Sequence, residues 1–178
     1  MVITSFLGSW IITESVKSPE DEMIELCNAH AKPCMDYWTT DTAFKDTISL
    51  EAQAMQLFNK GDYNLAIEAF QHFEPQEKDE AMYNLYLGYS YLKTGFTNLA
   101  ILHFEESANT FKKFDLIQLS RWYLAMAYLN KGDKENAVQT LKGIIEINAP
   151  QRYAAIDILK QIDVSNNPIK SLQLLLGL

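Results

Sequence analysis

The side chains best suited to chemistry in this sequence are two cysteines and a histidine near its amino end. Cys27, His30 and Cys34 have the spacing C-x2-H-x3-C and could supply three ligands to a metal ion. This spacing matches no pattern of structural zinc sites, which use four ligands. Asp36 is the only nearby candidate for a fourth ligand, and Pro33 interrupts the helix that would present the set. We therefore expect no metal and no other cofactor, and we interpret Cys27 as a buried core side chain.

Nothing else in the sequence has the arrangement of a catalytic site. It contains no Gly-rich phosphate loop and no H-E-x-x-H pair, and no serine stands in a nucleophile turn with histidine and aspartate partners. Acidic runs at 20–22 and 77–80 are most simply interpreted as helix starts or solvated loops. We therefore expect a protein that is not an enzyme.

The composition limits the kinds of partner. The 178 residues carry a formal net charge of -8 at pH 7, whereas binding to nucleic acid or to an anionic bilayer requires a basic face. With 48% hydrophobic residues, the chain can form one domain with a sizeable core. Two cysteines do not make a disulfide framework, and one bridge or two free thiols are both compatible with the sequence. We expect protein partners and no nucleic acid.

Three helix-turn-helix segments of the sequence resemble one another. Their turns contain Gly61, Gly95 and Gly132, which lie 34 and 37 residues apart. Each segment carries two small and two larger side chains at the same distances from its turn: Ala54, Leu57, Ala66 and Phe70 in the first, Gly88, Tyr91, Ala100 and Phe104 in the second, Ala125, Tyr128, Ala137 and Leu141 in the third. Small residues at such places let two helix backbones approach closely.

This pattern resembles the tetratricopeptide-repeat (TPR) signature W-x2-L-G-x2-Y…A-x3-F…P. The resemblance implies an all-α fold, in which three helix-turn-helix repeats stack into a right-handed superhelix (a solenoid) between flanking N- and C-terminal helices. The sequence departs from the signature in three places. Leu57 replaces the usual Tyr, Leu141 replaces the usual aromatic residue, and Gln53 replaces a Leu, which weakens the edge of the first repeat.

The chain divides into an N-terminal part, residues 1–46, and a TPR domain, residues 47–178. The N-terminal part comprises an apolar segment, a helix and a loop. Within the domain we place the repeats at about 47–78, 79–115 and 116–150, followed by closing helices at 151–178.

The apolar residues 1–12 are too few to cross a bilayer, which takes about 20 residues. They could dock on the protein, form the end of a longer span or act as an interfacial anchor. Membrane attachment is expected only if they belong to a longer span, in which case the protein is the soluble part of a bacterial envelope TPR protein. Otherwise we expect the protein to be cytoplasmic.

Helices flank the repeats on both sides. Ser18 can cap a helix that begins at Pro19, and its apolar face consists of Met23, Ile24, Cys27 and Ala31. After the third repeat, a closing helix presents Tyr153, Ile156, Leu159 and Ile162 on one face. A short Leu-rich helix is expected from Pro168 to Leu176. It either packs on the closing helix as the second half of a degenerate fourth repeat or meets a partner.

In TPR proteins the first helices of the pairs line a concave groove that binds peptides or partner domains. The matching positions in this sequence are mostly apolar or aromatic: Met55, Phe58, Asn59, Met82, Leu85, Tyr86, Tyr89, Lys93, Trp122, Met126 and Asn130. The Lys and Asn clamp with which chaperone-binding members hold a terminal carboxylate is absent. The resemblance therefore implies a protein–protein interaction or scaffold module that binds an apolar peptide or a helix. His72 and His103 fall on the second helices, which form the outer wall, and we expect both to be solvated.

Two alternatives stay open for the groove. The protein itself can bury these residues, through tight packing of the superhelix or through the N-terminal segment, especially residues 2–12, which are tethered nearby. A second copy of the chain can also cover them in a homodimer, in which case the protein is a self-associating structural protein.

Overall fold

The computed structural model describes residues 18–32, 50–72, 74–77 and 79–166, with side chains as far as Ile162. This part of the chain contains eight helices and no strand, which confirms the all-α prediction. The helices are α1 (Pro19–His30), α2 (Leu50–Lys60), α3 (Tyr63–Gln71), α4 (Glu80–Lys93), α5 (Thr97–Thr110), α6 (Phe114–Lys131), α7 (Lys134–Glu146) and α8 (Arg152–Asn166).

Helices α2 to α7 form three pairs joined by short turns: α2 with α3, α4 with α5, and α6 with α7. The first helix of each following pair packs on the second helix of the pair before it, so that α4 contacts α3 and α6 contacts α5. Helix α8 continues this series by packing on α7. This is the arrangement of an α-α helical repeat. The predicted bounds at 46–47 and 78–79 coincide with residues that the structure does not describe, and stay predictions.

The three turns share one backbone conformation. Gly61, Gly95 and Gly132 have φ values of +83°, +83° and +77°. At each turn the glycine N–H donates to the carbonyl of the residue three positions before it, as Gly61 does to Phe58. The N–H of the next residue donates to the carbonyl five positions before it, as Asp62 does to Leu57. This is the Schellman ending of a helix, in which a left-handed residue satisfies the last carbonyls. Glycine is required because a side chain strains this conformation.

Helices α4 and α5 approach each other closely at Gly88. A Cβ atom at this position would lie 3.0 Å from the ring of Phe104 and 3.2 Å from Cβ of His103. The equivalent residues of the neighbouring pairs, Ala54 and Ala125, are fully buried. The small residues predicted from the repeat are therefore the places where the helices cross.

His103 differs from the sequence expectation. Its ring is half-buried between α4 and α5 and stacks on Tyr91, with 5.4 Å between the ring centroids. Its Nδ1 lies 2.8 Å from Oδ1 of Asn84. Burial lowers the pKa of His103, which favours the neutral ring. The expected solvation of His103 was wrong because the helix pair encloses this position, whereas His72 is exposed.

A buried hydroxyl pair ties the second helix pair to the third. Ser107 on α5 donates to the carbonyl of Ala81 on α4 at 2.8 Å. The hydroxyl of Ser120 on α6 lies 2.8 Å from that of Ser107, and Ser120 also contacts the carbonyl of Leu116 at 3.0 Å. Between these helices only residues 111–113 are not helical, so the longer period of this repeat comes from longer helices.

None of the helices in the described ranges is long and apolar enough to cross a membrane.

Replacing Gly88 with Leu should reduce the free energy of unfolding by about 3 kcal/mol or more, because the new side chain must displace the buried ring of Phe104. The measurement is urea unfolding followed by circular dichroism. Gly143→Leu is the control, since Gly143 is also helical but has no atom within 4 Å of its Cβ position. It should leave stability unchanged or raise it through helix propensity. Equal effects of the two substitutions would contradict the close crossing.

Candidate functional site

The first helices of the pairs carry a continuous cluster of aromatic rings. Phe58 on α2 lies 4.8 Å from Tyr86 and 5.6 Å from Tyr89 on α4, measured between ring centroids. Tyr89 lies 5.3 Å from Tyr123 on α6, which in turn stacks at 5.6 Å on Phe104. Most of these contacts are edge-to-face, which suits the ring quadrupoles. We call the face formed by α2, α4 and α6 around these rings the concave groove.

Helix α1 covers part of the concave groove. It packs chiefly on α6 and also contacts α8. Its apolar stripe of Met23, Cys27 and Ala31 is buried, although Ile24 on the next face stays 39% exposed. The amino end of the helix lies at the α6–α7 turn, where Glu20 and Met23 are the nearest side chains to Gly132. The stripe predicted from the sequence therefore faces the repeats.

The start of α1 is fixed by a capping box. The Ser18 hydroxyl accepts from the backbone N–H of Asp21 at 3.1 Å, and the Asp21 carboxylate accepts from the backbone N–H of Ser18 at 3.1 Å. Glu20 and Glu22 complete an acidic first turn, which the positive end of the helix dipole favours.

Two tyrosines of the groove bind the backbone at the other end of α1. The hydroxyl of Tyr89 donates to the carbonyl of Ala31 at 2.9 Å, and that of Tyr123 donates to the carbonyl of Lys32 at 2.7 Å. Ala31 is the residue that caps the helix and Lys32 follows it. The carbonyl of a capping residue has no partner within the helix, so the Tyr89 hydroxyl satisfies it. Both bonds are to backbone atoms and hold the chain where α1 ends.

Cys27 lies at the centre of the contact between α1 and the groove. Its side chain is 1% exposed and hydrogen-bonds to Asn130, with the charge of Lys93 nearby. Asn130 also accepts from the Thr97 hydroxyl at 2.6 Å. Burial raises the pKa of the Cys27 thiol to about 11, outweighing the lowering by Lys93 and Asn130. The neutral thiol is therefore a packing side chain and a poor nucleophile.

The eleven predicted groove residues fall into three groups by accessibility. Seven are buried, namely Met55, Phe58, Leu85, Tyr86, Tyr89, Trp122 and Met126. Met82 and Asn130 are half-buried, whereas Asn59 and Lys93 are exposed. The structure brings Lys93, Asn130 and Tyr89 into the neighbourhood of α1. Trp122 lies 6.2 Å from the His30 ring, measured between centroids.

Sequence reasoning did not identify α1 as the segment that covers the groove. It named residues 2–12 for this role, and these lie outside the described residues. The apolar stripe of Met23, Cys27 and Ala31 indicated that one face of α1 is buried. Such a stripe does not identify the surface that buries it. Tyr123 is not among the eleven predicted groove residues, and its bond to Lys32 was not predicted.

Within the ranges that the structure describes, no group of three or more His, Cys, Asp and Glu side chains could hold a metal ion. His30 contacts the Trp122 ring edge-on. Cys34 and Asp36, the other candidate ligands, lie outside the described residues.

Comparison with known protein families gives a match in the third helix pair. Residues 122–151 match the family model described as a tetratricopeptide repeat. This range covers the second half of α6, the turn at Gly132 and α7. No curated protein matches the chain, and no solved structure matches it. The described part of the chain is therefore an α-helical repeat, and its residues 122–151 are similar to a tetratricopeptide repeat.

Proposed function

We propose that this protein is a non-catalytic interaction module whose concave groove binds one amphipathic helix of a protein partner. A tetratricopeptide repeat suggests a protein–protein interaction role in general. The observation that supports this particular ligand is the pair of bonds from Tyr89 and Tyr123 to the backbone at the end of α1. A groove that binds helix-end carbonyls accepts a helix of any sequence with a suitable apolar stripe.

The contacts of α1 define the ligand that the groove prefers. The stripe has one apolar side chain per turn, with Met23, Cys27 and Ala31 decreasing in size toward the end bound by the tyrosines. A partner helix therefore carries small residues near its C-terminal end and larger apolar residues toward its N-terminus. Its opposite face is polar, because the opposite face of α1 is exposed.

In this proposal α1 is the resident ligand of the groove. Residues 33–49 connect it to α2, and a tether of this length keeps α1 at an effective concentration in the millimolar range. A partner helix binds when α1 leaves, so the apparent affinity of the partner equals its intrinsic affinity multiplied by the fraction of time that α1 is undocked.

The direct test is to remove α1 from the groove and ask whether the groove binds a helix added in trans. Met23→Asp with Cys27→Asp places two charges in the buried stripe and should release α1. We expect this variant to bind a fluorescent peptide of residues 18–32 at least tenfold more tightly than the wild-type chain does, because the tethered copy no longer competes. Fluorescence anisotropy measures the binding, and circular dichroism checks that the variant is folded.

The matched control is Ile24→Asp with Asn28→Asp, the same change in charge on the exposed face of α1. It should behave as the wild type. A folded Met23, Cys27 variant that binds no peptide would contradict the proposal. Mass measurements on the same samples distinguish docking within one chain from exchange of α1 between two copies.

The tyrosine bonds themselves can be tested through the exposure of Cys27. In a Cys34→Ser background, Tyr89→Phe should speed the reaction of Cys27 with a thiol reagent by roughly 2- to 12-fold, corresponding to one lost hydrogen bond of about 0.5–1.5 kcal/mol. Tyr123→Phe should have the smaller effect, because Lys32 is exposed and water can replace the hydroxyl, whereas Ala31 is buried. Tyr153→Phe, at a residue 76% exposed, is the control. No change with Tyr89→Phe would show that this bond does not hold α1.

A further inference from the structure

A second groove lies between α7 and α8, on the far side of the third helix pair. It is a cavity of about 470 Å³, and its floor is formed by Val138 and Ile145 of α7 and by Ile156 and Leu159 of α8. No residue of α1 lines this end groove, although α1 contacts α8 as well as α6. An open apolar groove at the end of a helical repeat needs an occupant, since repeat arrays require a cap at each end.

Helix α8 has the register of the first helix of a fourth repeat. Its last residue, Asn166, stands 34 residues after Gly132, the same distance that separates Gly61 from Gly95. Asn166 is itself helical, whereas each of the three glycines follows the last helical residue of its first helix. The spacing of 34 residues therefore predicts, from the sequence, a fourth repeat turn near the end of α8.

The same spacing gives the position of Leu159 within the repeat. It stands seven residues before Asn166, as Gly88 stands seven residues before Gly95. In the second repeat, this position contacts the second helix of its own pair, where Gly88 meets Phe104. Leu159 instead lines the end groove and is half-buried. The end groove is therefore at the place where the second helix of a fourth pair would pack.

The sequence that follows Asn166 repeats the pattern of the second helices. Five residues after each turn glycine stands a fully buried alanine, and nine residues after it stands a fully buried large side chain. The corresponding residues after Asn166 are Ser171, which is small, and Leu175, which is large. The buried residues of the three described repeats are Ala66, Ala100 and Ala137 at the first place, and Phe70, Phe104 and Leu141 at the second.

One outward position agrees as well, whereas the places three and ten residues after the turn, which hold exposed polar residues in the described repeats, correspond to Ile169 and Leu176. Seven residues after the turn stand Glu68, Leu102 and Gln139, all of which are exposed. The corresponding residue after Asn166 is Gln173. On a helix in this register, Lys170 also lies on the face opposite Leu175, away from Lys134, Lys142 and Lys160 at the border of the end groove. Like charges are thus kept apart.

We propose that residues 168–178 form the second helix of a fourth repeat and occupy the end groove, with Leu175 against Leu159. These residues lie outside the described part of the chain, and the proposal rests on the end groove and on the register of α8. On this proposal the segment covers the apolar floor of the end groove in the same chain, so that this floor is not open to an external partner.

The first test measures proximity. In a Cys34→Ser background, with Cys27 buried, the pair Leu159→Cys and Leu174→Cys should form a disulfide within one chain on mild oxidation, because a Cβ atom at the equivalent Gly88 would lie 3.2 Å from Cβ of the equivalent His103. The control pair, Leu159→Cys with Gln173→Cys, should form none. Non-reducing gel electrophoresis with mass spectrometry reads the result. A disulfide between two chains, or none with either pair, would overturn the proposal.

The second test measures stability and does not depend on engineered cysteines. Leu175→Asp should lower Tm by roughly 6–12 °C, through loss of a buried side chain from a chain of this size. Gln173→Asp should change Tm by no more than about 2 °C. If Leu175→Asp and Gln173→Asp both changed Tm by no more than about 2 °C, both side chains would lie in solvent. The segment would then not occupy the end groove, and the groove would be open to an external partner.

Discussion

The close approach of paired helices at small residues sets the geometry on which the rest of the structure depends. At Gly88 the backbone of α4 comes so near to α5 that a Cβ atom would lie 3.0 Å from the Phe104 ring. Each first helix packs on the second helix of the preceding pair. The distance between the helices at one crossing therefore affects the position of the next pair. This spacing brings Tyr89 and Tyr123 on neighbouring pairs within 5.3 Å of each other.

The placement of these two tyrosines makes the concave face suitable for a helix. Each ring is buried in an aromatic cluster while its hydroxyl reaches a backbone carbonyl of the α1 end, at Ala31 and Lys32. A phenol satisfies both needs, because its body is apolar and its tip is polar. The side chains of α1 that face the groove are uncharged, so the contact costs no burial of charge. Packing and hydrogen bonding thus hold the same segment.

The concave groove and the end groove present different chemistry. The concave groove combines aromatic rings with hydroxyl donors and can fix the end of a helix. The floor of the end groove is aliphatic, formed by residues such as Val138 and Leu159, with lysine side chains also lining it. It offers an apolar surface without the ring and hydroxyl groups of the concave groove.

The sequence by itself determined the helix pairs, the turns at Gly61, Gly95 and Gly132, and the small residues at the crossings. These features depend on local backbone conformation and on a repeated spacing, and both are visible in a single chain. The stripe of α1 from Met23 to Ala31 was also predicted from its spacing.

Only the tertiary structure decided where that stripe packs, that Tyr89 binds the end of α1, and that His103 is enclosed rather than solvated. Helical spacing shows that a face is buried but not which surface buries it. That surface is set by contacts between residues far apart in the chain, such as the 58 positions from Ala31 to Tyr89.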